Sequence, residues 1–122
     1  LKKKNKSKNK KKRLLIMGIT FKENCPDVRN SKIVDLYRFL RKKEITVDLF
    51  DPIADHKDLK KLYGLSLIKK INRNTYDGII IAVRHLKFVN IGIKKIRSFS
   101  KNNSTIFDLK SLFPEEKTDF SL

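Results

Sequence analysis

One cysteine, two histidines, four glycines and no long apolar run are what this 122-residue chain has to offer, and each scarcity closes a class of function. Cys25 alone can form no internal disulfide and brings no metal-ligand set, so a disulfide-stapled scaffold and a structural zinc are both excluded. A reducing compartment, the cytoplasm, is the expectation. No stretch nears the roughly 18 to 20 consecutive apolar residues of a membrane helix, and no signal-type apolar region follows the basic start, so no membrane partner is expected. The glycines never fall into G-x-G-x-x-G spacing, which argues against a standard NAD cradle in this chain. His56 and His85 are both far from Cys25 in sequence, so Cys25 reads as an inert, partly buried thiol. No catalytic and no metal-binding residue is assigned.

Acid is also scarce: 13 acidic against 30 basic residues leave a net charge of +17. The excess is uneven, since LKKKNKSKNKKKR, residues 1–13, carries +9 of it and residues 14–122 the other +8. A run of this kind repels itself and buries nothing. It reads either as an arm for nucleic acid or another polyanion, or as a basic connector or disordered tail over residues 1–12. The second reading is favoured, because no aromatic residue interleaves the lysines to stack on bases.

Beyond the tail, hydrophobic periodicity alternates between two kinds of element. LLIMGIT (14–20), ITVDLF (45–50), GIIIAV (78–83) and STIFDL (104–109) read as strands, the first and third apolar enough to be buried on both faces. SKIVDLYRFLRKK, from Ser31, places Ile33, Val34, Leu36, Tyr37 and Leu40 on one helical face, with Asn30 or Ser31 available as its cap. ADHKDLKKLYG predicts a short helix closed by Gly64. LSLI is either a minor strand or an extended connection, and Leu86, Val89, Ile93 and Ile96 recur at helical spacing around a weakening Gly92. The end, SLFPEEKTDFSL, is polar, and residues 114–122 are expected to be a frayed tail. Strands alternating with helices predict an α/β fold: a Rossmann-like three-layer sandwich around a mostly parallel sheet, over residues 13–113.

In such sheets ligands bind beyond the carboxyl ends of the strands, which here gathers residues 18–31, 84–88 and 108–113. The first of these, GITFKENCPDVRNS, starts at a glycine, ends at a helix N-terminus and carries Lys22 and Arg29. Helix N-termini and cations together describe an anion site, phosphate above all. The alternative is a surface network in which Lys22 and Arg29 pair with Glu23 and Asp27. His85 reads as a ligand contact or as a loop or capping residue, and Asp51, before Pro52, as the residue that fixes a turn.

GITFKENCPDVRNSKIVDL, followed in order by VDLFDPIAD, YDGIIIAVRHLKF and IFDLKSL, resembles the C-terminal UDP-binding domain of the UDP-glucose/GDP-mannose dehydrogenase family. The FKENCPDVRNS form is most similar to members that oxidise UDP-N-acetylglucosamine or UDP-N-acetylmannosamine at C6. The resemblance implies a UDP-sugar ligand, with Phe21, Lys22 and Lys110 on the substrate side of an interdomain cleft and Arg29 reaching towards the diphosphate of the NAD cofactor. It further implies that NAD is held by an N-terminal domain, that the catalytic cysteine lies in a central helical region, and that this chain carries neither. The intact enzyme would then be a homodimer or larger, and the chain by itself inactive. Two positions depart from the family pattern: Arg84 stands where a small residue is common, and Ser111 where glycine is frequent.

Overall fold

The computed structural model describes residues 12–110, 112–113 and 119–121. Its strands are β1 (Arg13–Met17), β2 (Thr46–Phe50), β3 (Tyr76–Ile81), β4 (Ser100–Asp108) and β5 (Phe120–Ser121). The helices are α1 (Lys32–Lys42), α2 (His56–Tyr63), α3 (Leu86–Ile91) and α4 (Ile93–Ser98). The strands form one sheet in the order β2-β1-β3-β4-β5, and every pairing is parallel. Parallel neighbours need crossovers, and the helices supply them on both faces.

Alternation along the central strands builds two cores. Ile16 and Ile80 turn towards Val34 of α1 and Leu59 of α2, whereas Leu15, Met17, Ile79, Ile81 and Ile106 turn towards Phe88 of α3 and Ile96 of α4. The result is the three-layer α/β sandwich expected from the pattern. Each fully buried aliphatic or aromatic side chain of this kind is worth about 1.5–3 kcal/mol. That is why the near-continuous apolar runs of β1 and β3 occupy the middle of the sheet.

Four details differ from the local pattern. The 86–96 periodicity breaks into α3 and α4 because Gly92, at φ 88° and ψ 149°, leaves the helical region. LSLI is an extended connection that touches the sheet through Ile68 N–H donating to Leu49 O at 2.8 Å. β4 starts at Ser100 rather than 104, with its pairing to β3 shifted between Tyr76 and Gly78. The polar end, read as frayed, includes the two-residue strand β5 beside β4. The lysine run of residues 1–11 lies outside the described residues, and among those described no helix is long and apolar enough to cross a membrane.

The strand order places the functional region. The chain leaves β1 for β2 on one side and then crosses to β3 on the other side of β1, so the loops that follow β1 and β3 diverge. A crevice opens between such loops at the carboxyl ends of the strands.

Candidate functional site: a basic cleft beyond β1, β3 and β4

The loop after β1 begins at Gly18, whose φ of 104° is strained for other residues. A Cβ there would lie 2.7 Å from Val83 Cβ and 2.9 Å from Val83 N, so the glycine exists to let β1 pass the end of β3. The turn continues with Gly18 N–H donating to Phe50 O at 2.9 Å and Phe21 N–H donating to Asp27 O at 2.8 Å. Asp55 N–H, at the start of α2, donates to Pro26 O at 3.0 Å. A long polar loop is thereby fastened along its length, so its exposed side chains stand on a defined backbone.

Phe21 and Lys22 project from this loop into a cleft of about 450 Å³, and Lys110 enters it from the loop after β4. Lys110 is set in place by Asp108, fully buried, whose carboxylate accepts from Leu112 N–H at 2.9 Å and Phe113 N–H at 2.8 Å. Arg84, after β3, and Lys32, in the first turn of α1, complete a ring of four cations against one acid, Glu23. None of the four makes an ion pair among the described residues. Phe21 is 57% exposed, a large apolar ring left on the wall of a charged cleft. The floor includes the N-terminal turn of α1, where Ser31 occupies the N-cap without a side-chain cap bond and its buried Oγ has no partner among the described residues. A helix N-terminus and four cations give the cleft the charge and donors that suit an anion, beside an aromatic wall.

Arg29 behaves differently. Its guanidinium grips Asp27 at two points, Nε to Oδ1 at 3.0 Å and Nη2 to Oδ2 at 2.9 Å, and its backbone N–H adds a third bond at 2.9 Å. These bonds lower the Asp27 carboxyl to about 2. Arg29 lines a neighbouring hollow with Cys25, Asp55 and Asp58, and not the cleft itself. Sequence left Lys22 and Arg29 open between an anion site and a surface network. Lys22 has no ion-pair partner among the described residues, and Arg29 has an acidic one while its side chain stays 74% exposed.

Beneath the cleft lies a buried polar cluster that residue types alone did not reveal. His85, fully buried, approaches Asp51 with Nε2 at 2.9 Å and Thr20 Oγ1 at 3.3 Å, and its Nδ1 accepts from Asn24 N–H at 2.9 Å. A backbone N–H can only donate, so Nδ1 carries no proton and the neutral ring is the Nε2–H tautomer. Asp51 accepts from Ile53 N–H at 2.8 Å and Ala54 N–H at 3.0 Å, which fixes the turn as expected, and also from Ile19 N–H at 2.7 Å. Burial pushes its carboxyl up, but the bonds from His85 and these amides outweigh burial and hold it below the ordinary 3.8. His85 sits at the N-cap of α3 with no capping bond, away from the cleft wall. Its separation from Cys25 in sequence is misleading, since it bonds the amide next to Cys25. Both ring nitrogens are already engaged, so His85 is not a free base for Cys25. Lys32 belongs to the polar face of the helix that follows Ser31, and its place just after the helix cap is the signal that brings it to the cleft. Ser111 lies outside the described residues, and no metal-binding group of three or more His, Cys, Asp or Glu occurs among those described.

Comparison with known proteins converges on one family. Residues 15–115 match the UDP binding domain of the UDP-glucose/GDP-mannose dehydrogenase family. The chain is 46% identical over 110 residues to a UDP-N-acetyl-D-glucosamine 6-dehydrogenase of Pseudomonas aeruginosa, covering 90% of this chain and 26% of that protein. It is 41% identical over 109 residues to the enzyme of the same name from Salmonella typhi, covering 89% and 26%. Among solved structures, a UDP-N-acetyl-mannosamine dehydrogenase from S. aureus shares its fold with a TM-score of 0.69 at 18% identity, covering 94% of this chain and 27% of that one. The chain therefore spans about a quarter of the length of the relatives it matches. A cleft of this charge at the switch point of the sheet, on a chain matched over residues 15–115, leads to one assignment: the chain belongs to the UDP-glucose/GDP-mannose dehydrogenase family, as its UDP binding domain.

Proposed function

We propose that the chain is the C-terminal, nucleotide-sugar-binding part of an NAD-dependent UDP-N-acetylhexosamine 6-dehydrogenase, which oxidises the C6 alcohol of the sugar to a carboxylate for surface polysaccharide synthesis. The observation that supports this most is the cleft with four cations that make no ion pair among the described residues, and an exposed phenylalanine. In this reading Lys22 and Lys110 neutralise the diphosphate of the UDP-sugar, and Phe21 supplies an apolar wall. The role is binding and closure. Residues 13–113 form the binding domain and residues 1–12 its connector.

The residues present do not form a cradle for NAD. The space beside Gly18 is taken by Val83 rather than left to a pyrophosphate, and no second or third glycine follows it. NAD is therefore assigned to parts of the longer enzyme, and Arg29, exposed on the neighbouring hollow, is the group this chain would turn towards its diphosphate. The chain by itself is expected to be inactive, and the intact enzyme a cytoplasmic homodimer or larger.

Titration of the ¹⁵N-labelled chain with UDP, a UDP-N-acetylhexosamine and NAD tests the reading. UDP is expected to shift the amides of Gly18–Lys22 and Lys110, and free NAD to leave them in place. Lys22→Ala and Lys110→Ala should each weaken UDP by about tenfold, the loss of one charge-assisted hydrogen bond. A folded chain whose cleft amides ignore UDP would overturn the proposal. Nucleic-acid binding with a steep salt dependence that vanishes on removal of residues 1–12 would favour the polyanion module instead.

A further inference from the structure

His85 and Asp51 do not line the cleft, yet anchors at both ends of its Phe21–Glu23 lip pass through them. Phe21, Lys22 and Glu23 are exposed, and their backbone is held from below at both ends. At one end Ile19 N–H donates to Asp51 at 2.7 Å, and Thr20 Oγ1 lies 3.3 Å from His85 while it donates to Lys22 O at 2.9 Å. At the other end Asn24 N–H donates to His85 Nδ1 at 2.9 Å, and Asn24 Oδ1 accepts from Leu86 N–H at 2.8 Å. Asn24 sits at φ 58°, a left-handed conformation that persists where the surroundings impose it. The residue before His85 is Arg84, on the opposite wall of the cleft. One buried ring therefore ties both lips together.

We propose that His85 is a positioning residue of the nucleotide cleft: its Nε2–H tautomer, keyed by Asp51, is a strut that sets the Phe21–Lys22 lip against the Arg84 lip. The inference rests on reading the cleft as the nucleotide site. A rigid ring suits the task because it accepts from a backbone N–H on one edge and donates to a carboxylate on the other. Asparagine places its Oδ1 where Nδ1 stands, so it can keep the Asn24 bond while giving up Asp51, which retains three backbone donors. Leucine keeps the bulk and loses both bonds.

The test compares UDP titrations of wild type, His85→Asn and His85→Leu with thermal melts of each, and reads the imidazole nitrogens of wild type by NMR. His85→Leu should lose UDP affinity by about tenfold or more, and His85→Asn should stay within about threefold of wild type. The wild-type ring should show a protonated Nε2, a bare Nδ1 and a coupling from the Asn24 amide. A protonated Nδ1, unchanged affinity in His85→Leu, or no difference between the two variants would overturn the proposal. If His85→Leu does not fold, a folded His85→Asn that loses tenfold or more overturns it, and one within threefold supports it. If wild type ignores UDP, the nucleotide reading fails by itself, while the ring spectrum and the order of amides 20–24 in His85→Asn still judge the strut.

Discussion

Replacing Gly18 by alanine adds one methyl group where the structure has least room for it. The new Cβ would lie 2.7 Å from Val83 Cβ, 2.8 Å from Val83 Cγ2 and 2.9 Å from Val83 N. The last contact is backbone and the first sits on the stem of a β-branched side chain, so no rotamer change relieves either. Overpacking of this type costs about 1–3 kcal/mol. The φ of 104° adds about 1–3 kcal/mol for any residue with a Cβ. A loss of about 4 kcal/mol is expected, a large part of the 5–15 kcal/mol typical of a domain. Urea unfolding followed by far-UV circular dichroism should show the midpoint falling with the slope unchanged, and melting about 15–25 °C lower. Gly78→Ala is the control. Its new Cβ meets the far end of the Leu14 side chain at 2.8 Å, which can swing away, so a change within about 1 kcal/mol is expected. If Gly18→Ala costs less than about 1 kcal/mol, Val83 and the turn move freely, and the account of why this loop is fixed is wrong.

Asp51→Asn exchanges an acceptor of four hydrogen bonds for an amide whose NH₂ must face donors, and should cost about 3 kcal/mol by urea unfolding at neutral pH. Because the folded carboxyl of Asp51 lies below its ordinary 3.8, its stabilisation is full above that value and lost as pH falls through the folded one, so the gap between wild type and variant should narrow in acid. A gap that widens below pH 3.8 would reverse the sign argued here. Arg29→Gln should let the Asp27 carboxyl climb from about 2 towards 3.8, read from its side-chain carbon shift against pH; a fixed midpoint would mean the two are not paired in solution. At the opposite end of the sheet, burial and the Asp48 carboxylate 2.5 Å from its hydroxyl hold the Tyr76 phenol above the ordinary range. Asp48→Asn should bring its alkaline absorbance transition down, and Tyr76→Phe should cost about 1 kcal/mol.

The comparison of Arg29 with Lys22 shows how far sequence reaches. Arg29 and Asp27 are two residues apart, and their pairing was among the readings that residue types offered. Lys22, Lys32, Arg84 and Lys110 come from separate segments, and nothing local announces that they share one cleft. The turn at Asp51 was legible, because it acts on neighbours two and three residues away, whereas at Gly92 the sequence showed a weakened helix and the structure a break. β5 was not, since two residues carry no period and their pairing depends on where β4 ends. His85 and Asp51 are 34 positions apart, and only the fold, which sets the ends of β2 and β3 on either side of β1, brings an imidazole onto that carboxylate.

What the sequence determined by itself is the kind of each main element and the family, because apolar periodicity and the ordered motifs around Lys22 and Lys110 are written in short, contiguous stretches. The tertiary structure decided which loop cations lack an ion pair among the described residues, that Arg29 grips Asp27, and that a buried ring bonds the backbone of the Lys22 loop. Those outcomes follow from a strand order of β2-β1-β3-β4-β5, a non-local property set by how two apolar faces are covered at once.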